Sequence, residues 1–203
     1  AVNLIANGTL SISGLFNITD SIYGHGIVSG VGSVNHSGGV GNVIDFTGTI
    51  GCEYIISGDG TAPYDDVTLL SDFEADDFAI DWYGQLKTSS NDLTLTGNLI
   101  MRNYSSLSLD GHLICTDANL YDDSNITDYG NMTAQHISMT DNSNIVMTPS
   151  ATLVASILFE MDGASVAWLD GYVWTGVLND SAKIFQNATL SASDINVLTG
   201  GEL

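Results

Sequence analysis

The stretch LTLTGNL at residues 93–99 is followed by LSLDGHL at residues 107–113, and both share one arrangement of apolar residues and glycine. Apolar residues take the first, third and seventh positions, and glycine takes the fifth. Because alternate residues of an extended strand point to the same face, the apolar side chains share one face and Ser, Thr or Asp lie on the other. Glycine on the apolar face permits a sharp bend or a close approach of another backbone. The pattern therefore predicts short strands joined at tight bends.

The same pattern recurs through the chain at uneven intervals. The further copies, of which ITDYGNM is degraded, are LSISGLF (10–16), IDFTGTI (44–50), IDWYGQL (80–86), ITDYGNM (126–132) and AWLDGYV (167–173). Helical spacing of apolar residues is nearly absent, so we predict an all-β chain. We expect a single all-β domain over residues 1–203, with a possible soft boundary near residues 60–66.

Two architectures accommodate these strands. The uneven intervals disfavour identical coils but fit an irregular parallel β-helix (a β-solenoid) whose coils take about 20 residues or a multiple of that number. An antiparallel β-sandwich with strands bent at glycines is the alternative. Between residues 93 and 147 the short strands LTL, LIM, LSL, LIC, ISM and IVM are punctuated by Gly, Asn and Asp. This punctuation favours the β-solenoid.

The punctuated strand pattern extends over roughly the whole chain and resembles that of secreted β-solenoid surface proteins, those of the filamentous-haemagglutinin type among them. The resemblance implies an elongated β-structure and an extracellular setting. It rests on pattern alone and on no specific motif, so it assigns no functional residue to this chain.

The charge balance excludes several partners. The chain has 24 Asp and Glu residues against 3 Lys and Arg, a formal net charge of −21. Such a chain repels nucleic-acid phosphates and anionic membrane surfaces. No run of about 18 apolar residues occurs, so we expect no insertion into a membrane. The opening AVNLIANGTL has no initiating Met, as in a secreted protein whose signal peptide has been removed.

Two further features point to the outside of a cell. The two cysteines, Cys52 and Cys115, are either buried thiols or a disulfide; we predict the disulfide, because sequons are also abundant. Asn-x-Ser/Thr accounts for 8 of the 16 asparagines, an excess that favours N-glycosylation and a eukaryotic or archaeal cell surface. The predicted N-glycosylation sites are Asn7, Asn17, Asn35, Asn103, Asn125, Asn131, Asn179 and Asn187.

The acidic run at residues 65–81 holds the best candidates for chemistry. Its carboxylates offer a pair for glycoside hydrolysis, but the alternation of Phe78, Ile80 and Trp82 favours a solvated strand whose apolar side chains turn inward. We therefore predict no catalytic residue, no enzyme activity and no cofactor beyond N-linked glycans and weakly bound calcium. The calcium candidates, which lack the usual loop signature, are Asp72, Glu74, Asp76 and Asp77.

The strand edges are poorly guarded against pairing with other chains. Pro occurs only at positions 63 and 149, and Lys only at 87 and 183. We therefore predict an extracellular structural glycoprotein that assembles with copies of itself into a filament, sheath or surface layer. Its composition is similar to that of archaeal sheath and filament subunits, so we expect an archaeal source.

Two alternative functions stay open. The first is a fibre, spike or adhesin module that binds glycans through exposed aromatic residues such as Tyr121, Tyr129 and Trp174. The second, which we favour less, is a carbohydrate-active β-helix enzyme.

Overall fold

The computed structural model describes residues 8–37, 39–58, 66–180, 183–186 and 189–197. This part of the chain contains no helix long and apolar enough to cross a lipid bilayer. Its 21 strands are β1 (Thr9–Ile12), β2 (Leu15–Ile18), β3 (Ile22–Ser37), β4 (Val40–Ser57), β5 (Asp66–Leu69), β6 (Phe73–Ala75), β7 (Phe78–Asp81), β8 (Gln85–Lys87), β9 (Leu93–Leu95), β10 (Leu99–Met101), β11 (Ser106–Leu109), β12 (His112–Ile114), β13 (Asp117–Leu120), β14 (Asn125–Asp128), β15 (Asn131–Met139), β16 (Asn144–Met147), β17 (Thr152–Met161), β18 (Val166–Leu169), β19 (Tyr172–Asp180), β20 (Lys183–Gln186) and β21 (Thr189–Val197).

The strands wind into a β-solenoid in which every described pairing is parallel. The long strand β4 pairs in succession with β5, β6 and β7, so each turn contributes to three faces. Side-chain hydrogen bonds between neighbouring turns join residues 18 to 25 apart. The predicted β-solenoid is confirmed, and the antiparallel sandwich is wrong.

Each face is a stack of strands from successive turns. Face 1 consists of β5, β8, β11, β14, β16, β18 and β20. Face 2 consists of β6, β9 and β12, followed by the first parts of β15, β17, β19 and β21. Face 3 consists of β7, β10 and β13, followed by the second parts of the same four strands. At the N-terminal side β1 and β2 pair with β3, which pairs with β4.

Alternation along each strand sends every second side chain inward, where it stacks on its counterparts in the adjacent turns. On face 1 the buried stack is formed by Val67, Leu86, Leu107, Ile126 and Ile145. Fully burying each such aliphatic side chain is worth about 1.5–3 kcal/mol. The solenoid is therefore held together by continuous apolar columns that run along its axis.

The repeated glycines lie at the corners between faces. Gly111 and Gly130 lie between faces 1 and 2, Gly97 between faces 2 and 3, and Gly84 between faces 3 and 1. A Cβ atom added at Gly111 would overlap the carbonyl oxygen of Asn91 in the preceding turn. The predicted bends and close approaches are confirmed. Because the pattern marks three different corners, its copies are unevenly spaced in a regular fold.

At the corner from face 3 to face 1, residues other than glycine adopt left-handed backbone conformations. Trp82 and Tyr83 have φ of 47° and 65°, and Asn103 and Tyr104 in the next turn have 56° and 63°. The rings of Tyr83 and Tyr104 stack with centroids 5.0 Å apart. This corner makes the prediction that Trp82 turns inward wrong, because the inward alternation ends at Ile80 and leaves Trp82 55% exposed.

Candidate functional site

The acidic run does not gather its carboxylates at one point. Asp72 lies at the corner before β6, Glu74 faces outward on β6, and Asp76 and Asp77 lie at the corner after β6. In the part of the chain that the structure describes, no three His, Cys, Asp or Glu side chains form a group that could hold a metal ion. The four calcium candidates are thus distributed along one turn of the solenoid.

These carboxylates instead accept hydrogen bonds from the next turn. Asp72 Oδ1 accepts the Asp92 N–H at 2.9 Å, and Asp76 Oδ1 accepts the Thr96 hydroxyl at 2.7 Å. Asp77 Oδ1 accepts a backbone N–H at 2.7 Å from the following turn. Hydrogen bonds to an ionised acceptor are stronger than neutral ones, so part of the acidic composition serves to tie the turns together.

Two further acids of the run, Asp66 and Asp81, form ion pairs. Asp66 on β5 pairs at 2.7 Å with Lys87 on β8, the neighbouring strand of face 1 in the next turn. Asp81, nearly buried, accepts from Arg102 Nε at 2.8 Å, from Asn103 Nδ2 at 2.6 Å and from the Trp82 N–H at 2.8 Å. Neither arrangement leaves a pair of carboxylates facing a common cleft. The first acid of the run, residue 65, lies outside the described residues.

The described sequon asparagines all lie on the outside of the solenoid. Asn17 and Asn131 are exposed, and Asn35, Asn103 and Asn125 are half-buried. Where a sequon lies on a strand, the residue after its asparagine turns inward, as Met132 does after Asn131. Asn7 and Asn187 lie outside the described residues, as does the side chain of Asn179.

Some of these asparagines also bond to one another in ladders between turns. Asn35 Nδ2 donates to Asn17 Oδ1 at 3.1 Å, and Asn144 Nδ2 donates to Asn125 Oδ1 at 3.2 Å. Asn144 belongs to no sequon. The ladders therefore give a structural reason for part of the asparagine content, and glycosylation of the sequons stays a prediction.

The predicted disulfide does not form. Cys52 and Cys115 are both buried free thiols. Cys52 lies in β4. The strands β6, β9 and β12 stack in succession on β4, and Cys115 follows β12, so the two cysteines are three turns apart. At about 4.8 Å per turn, the two cysteines are separated by about twice the Cα distance that a disulfide tolerates. Burial raises the pKa of the Cys115 thiol to about 12, so it is held as an unreactive core residue.

Asp128 is a buried carboxyl group. It lies in the degraded copy ITDYGNM, at a position where the other copies carry an apolar residue. It is 0% exposed and stacks between Leu109 and Met147. Its Oδ1 accepts the Gly130 N–H at 3.0 Å, while Oδ2 has no hydrogen-bonding partner among the described residues. Burial raises the pKa of Asp128 to about 7, an effect that the Gly130 hydrogen bond opposes.

The histidines do not converge either. His36 is buried and hydrogen-bonds through Nδ1 to the Tyr54 hydroxyl at 2.8 Å, inside the core. His136 pairs with Asp117 at 2.7 Å on the outside, and His112 contacts Thr133 at 3.3 Å. These contacts connect adjacent turns of the solenoid.

A shallow groove of about 190 Å³ crosses face 1 between β8 and β14. The middle strand, β11, places the small side chains of Ser106 and Ser108 outward. The longer side chains of the strands on either side form the walls. Tyr129, at the corner after β14, closes one end with a ring that is 51% exposed. The lining residues are Gln85, Leu86, Lys87, Ser106, Leu107, Ser108, Asn125, Thr127 and Tyr129.

The chain's three tryptophans are all substantially exposed. Trp82 is 55%, Trp168 48% and Trp174 37% exposed. Trp168, Asp170, Tyr172 and Trp174 form one outward row across the corner between faces 1 and 2. Large aromatic side chains are usually buried in cores or interfaces, so this row is a candidate contact surface.

Comparison with protein-family models, with curated proteins and with solved structures finds no significant match to this chain.

Proposed function

We propose that this protein is an extracellular structural glycoprotein whose β-solenoids stack end to end into a filament, sheath or surface layer. The observation that carries the proposal is the surface of the first described turns, formed by β1, β2 and β3. This surface combines an open strand edge with exposed apolar side chains and very little charge. We call it the N-terminal end of the solenoid.

The strand edge at this end supports stacking. Within the described residues, β1 and β2 pair on one side only, with β3. An open edge presents backbone N–H and C=O groups that a strand of another copy can pair with. At the opposite end β20 and β21 likewise pair, within the described residues, only with β18 and β19.

Apolar exposure and charge both favour the N-terminal end as a contact. Leu15 on β2 is 62% exposed, and Ile27 and Val31 on β3 are 50% and 95% exposed. Large apolar side chains exposed at one end of a fold are typical of interaction sites. Of the 24 Asp and Glu residues only Asp20 precedes residue 45. Copies of a chain with a net charge of −21 therefore meet with least repulsion at this end.

The geometry of such a contact implies a polymer. One end of the solenoid would meet the other end of the next copy, which is a head-to-tail contact between different surfaces. Contacts of this type produce open filaments when the rotation between subunits does not close a ring. The glycans expected on outward sequons away from β2, such as Asn103, Asn125 and Asn131, would then coat the sides of the filament.

Two substitutions test the proposal by sedimentation and negative-stain microscopy. Val31→Asp puts a charge at the N-terminal end, and Leu70→Asp puts the same charge at a residue 52% exposed in the middle of the solenoid. We expect polymers from the unaltered chain and from Leu70→Asp, and dispersed monomers from Val31→Asp. Circular dichroism and melting temperatures establish that both variants are folded. An unaltered protein that stays monomeric at high concentration, or equal effects of the two variants, would contradict the proposal.

A further inference from the structure

We propose that the groove on face 1 is a binding site for a neutral oligosaccharide, with Tyr129 stacking on one sugar ring. This inference does not depend on end-to-end assembly, because the groove lies in the middle of the solenoid. Its ligand class follows from the shape of the groove, the polarity of its lining and the charge around it.

The shape follows from the strand sequences. Gln85, Ser106 and Asn125 are aligned across three neighbouring strands, as are Lys87, Ser108 and Thr127. Neighbouring strands are about 4.8 Å apart, so the walls lie about 10 Å from one another over a floor of serines. The volume of about 190 Å³ is below the ~300–1,000 Å³ that drug-sized ligands occupy. It suits one or two sugar rings of a longer chain that continues outside the groove.

The lining offers hydrogen bonds in the pattern that sugar hydroxyls require. Ser106, Ser108 and Thr127 carry hydroxyls, which donate and accept, and Gln85 and Asn125 carry amides with both functions. Tyr129 adds an exposed aromatic face on which the C–H face of a sugar ring can pack. Because these groups lie on rigid strands, they fix the orientation of a polar ligand, and no loop has to become ordered on binding.

The charge distribution selects a neutral ligand. Lys87 is the one cation in the lining, and it is already paired with Asp66 at 2.7 Å. The chain as a whole carries a net charge of −21, which repels phosphate, sulfate and uronate groups. A neutral hexose polymer or an N-acetylated sugar avoids this repulsion.

The groove also contains a predicted attachment point for a glycan. Asn125 and Thr127 line the groove and together form a sequon, so a glycan on Asn125 would begin inside it. Protein made in a host without N-glycosylation offers an empty groove, and protein made in a glycosylating host shows by peptide mass whether Asn125 is modified. If it is modified, added oligosaccharide should bind only the unglycosylated protein.

The test uses unglycosylated protein and a panel of soluble cello-, malto- and chito-oligosaccharides, with oligogalacturonate as the anionic comparison. Titration is followed by calorimetry and by NMR shifts. We expect millimolar or tighter binding of at least one neutral oligosaccharide and none of oligogalacturonate. Tyr129→Ala should weaken binding about tenfold, which corresponds to about 1.4 kcal/mol. The matched control is Tyr104→Ala, because Tyr104 is 54% exposed and lies at another corner.

A second pair of variants leaves Tyr129 unchanged, so a loss of binding in this pair does not come from misfolding at the Tyr129 corner. Ser108→Gln fills the groove from its floor and should abolish binding, whereas Ser138→Gln, at an outward position on face 3, should leave it intact. The proposal is overturned if no neutral oligosaccharide binds, if oligogalacturonate binds equally well, or if the control variants weaken binding as much as the groove variants. Repeating the titration with Val31→Asp separates this result from that of the assembly test.

Discussion

Replacing Asp128 with Asn is expected to change how the stability of the solenoid depends on pH. Asp128 is fully buried in the inward stack of face 1, between Leu109 and Met147, and only its Oδ1 has a hydrogen bond, from the Gly130 N–H. A carboxylate in such a site loses its hydration without gaining a cationic partner. Folding therefore favours the protonated form of this side chain.

The magnitude follows from the difference in proton affinity between the folded and unfolded chain. Burial raises the pKa of Asp128 from its ordinary 3.8 to about 7. At about 1.36 kcal/mol for each pKa unit this amounts to about 4 kcal/mol, an upper value because water can enter beside the charge. The folded chain holds the extra proton between pH 4 and pH 7, so this group's contribution to stability is complete below about pH 4. It is lost as the pH rises to about 7.

The assay is urea unfolding of the unaltered protein and of Asp128→Asn at a series of pH values from 4 to 8. Asn keeps the shape and the acceptor for Gly130 but cannot ionise, so the variant should gain stability relative to the unaltered protein as the pH rises. Asp110→Asn, an exposed carboxylate next to Leu109, removes one charge without touching the core and should show no such gain. A difference between Asp128→Asn and the unaltered protein that stays constant from pH 4 to pH 8 would refute the reasoning.

Three further experiments test the rest of the fold. Gly111→Ala should destabilise the protein by about 1–3 kcal/mol, because the added Cβ would overlap the Asn91 carbonyl. The control Gly14→Ala should cost much less, because Gly14 has open space around it. Equal melting temperatures of the two variants would contradict this expectation. Tyr54→Phe removes the buried hydrogen bond to His36 and should cost about 1–3 kcal/mol, whereas Tyr104→Phe should be neutral by chemical denaturation. Cys52 and Cys115 should react with a thiol reagent only after unfolding, and a reductant should leave the melting temperature unchanged; an intact mass lower by two hydrogens would contradict the free thiols.

Much of the fold is readable from strand alternation, because every second residue of a strand must enter the apolar core. The repeated glycine pattern identified the strands and bends but not the turn length, since its copies mark different corners. A better signal lay one residue before the face 1 strands. Ser105, Ser124, Ser143 and Ser165 are buried at the same corner of successive turns, and their spacing follows the turn.

The candidate site was far less predictable. The groove exists because β11 carries two serines between strands with longer side chains, and this requires the register between turns, which no single strand contains. The disulfide prediction failed for the same reason, since the number of turns between Cys52 and Cys115 depends on the complete winding. The prediction for Trp82 was wrong because the alternation of apolar residues does not indicate a left-handed corner formed by Trp and Tyr.

The most direct test of the central claim, that these solenoids stack end to end, is cryo-electron microscopy of the concentrated protein. We expect filaments in which the strand spacing of about 4.8 Å runs along the filament axis and continues across each junction between subunits. The N-terminal end, including Val31, should lie at every junction. Filaments with the strand spacing across the axis, or particles that remain single solenoids, would contradict it.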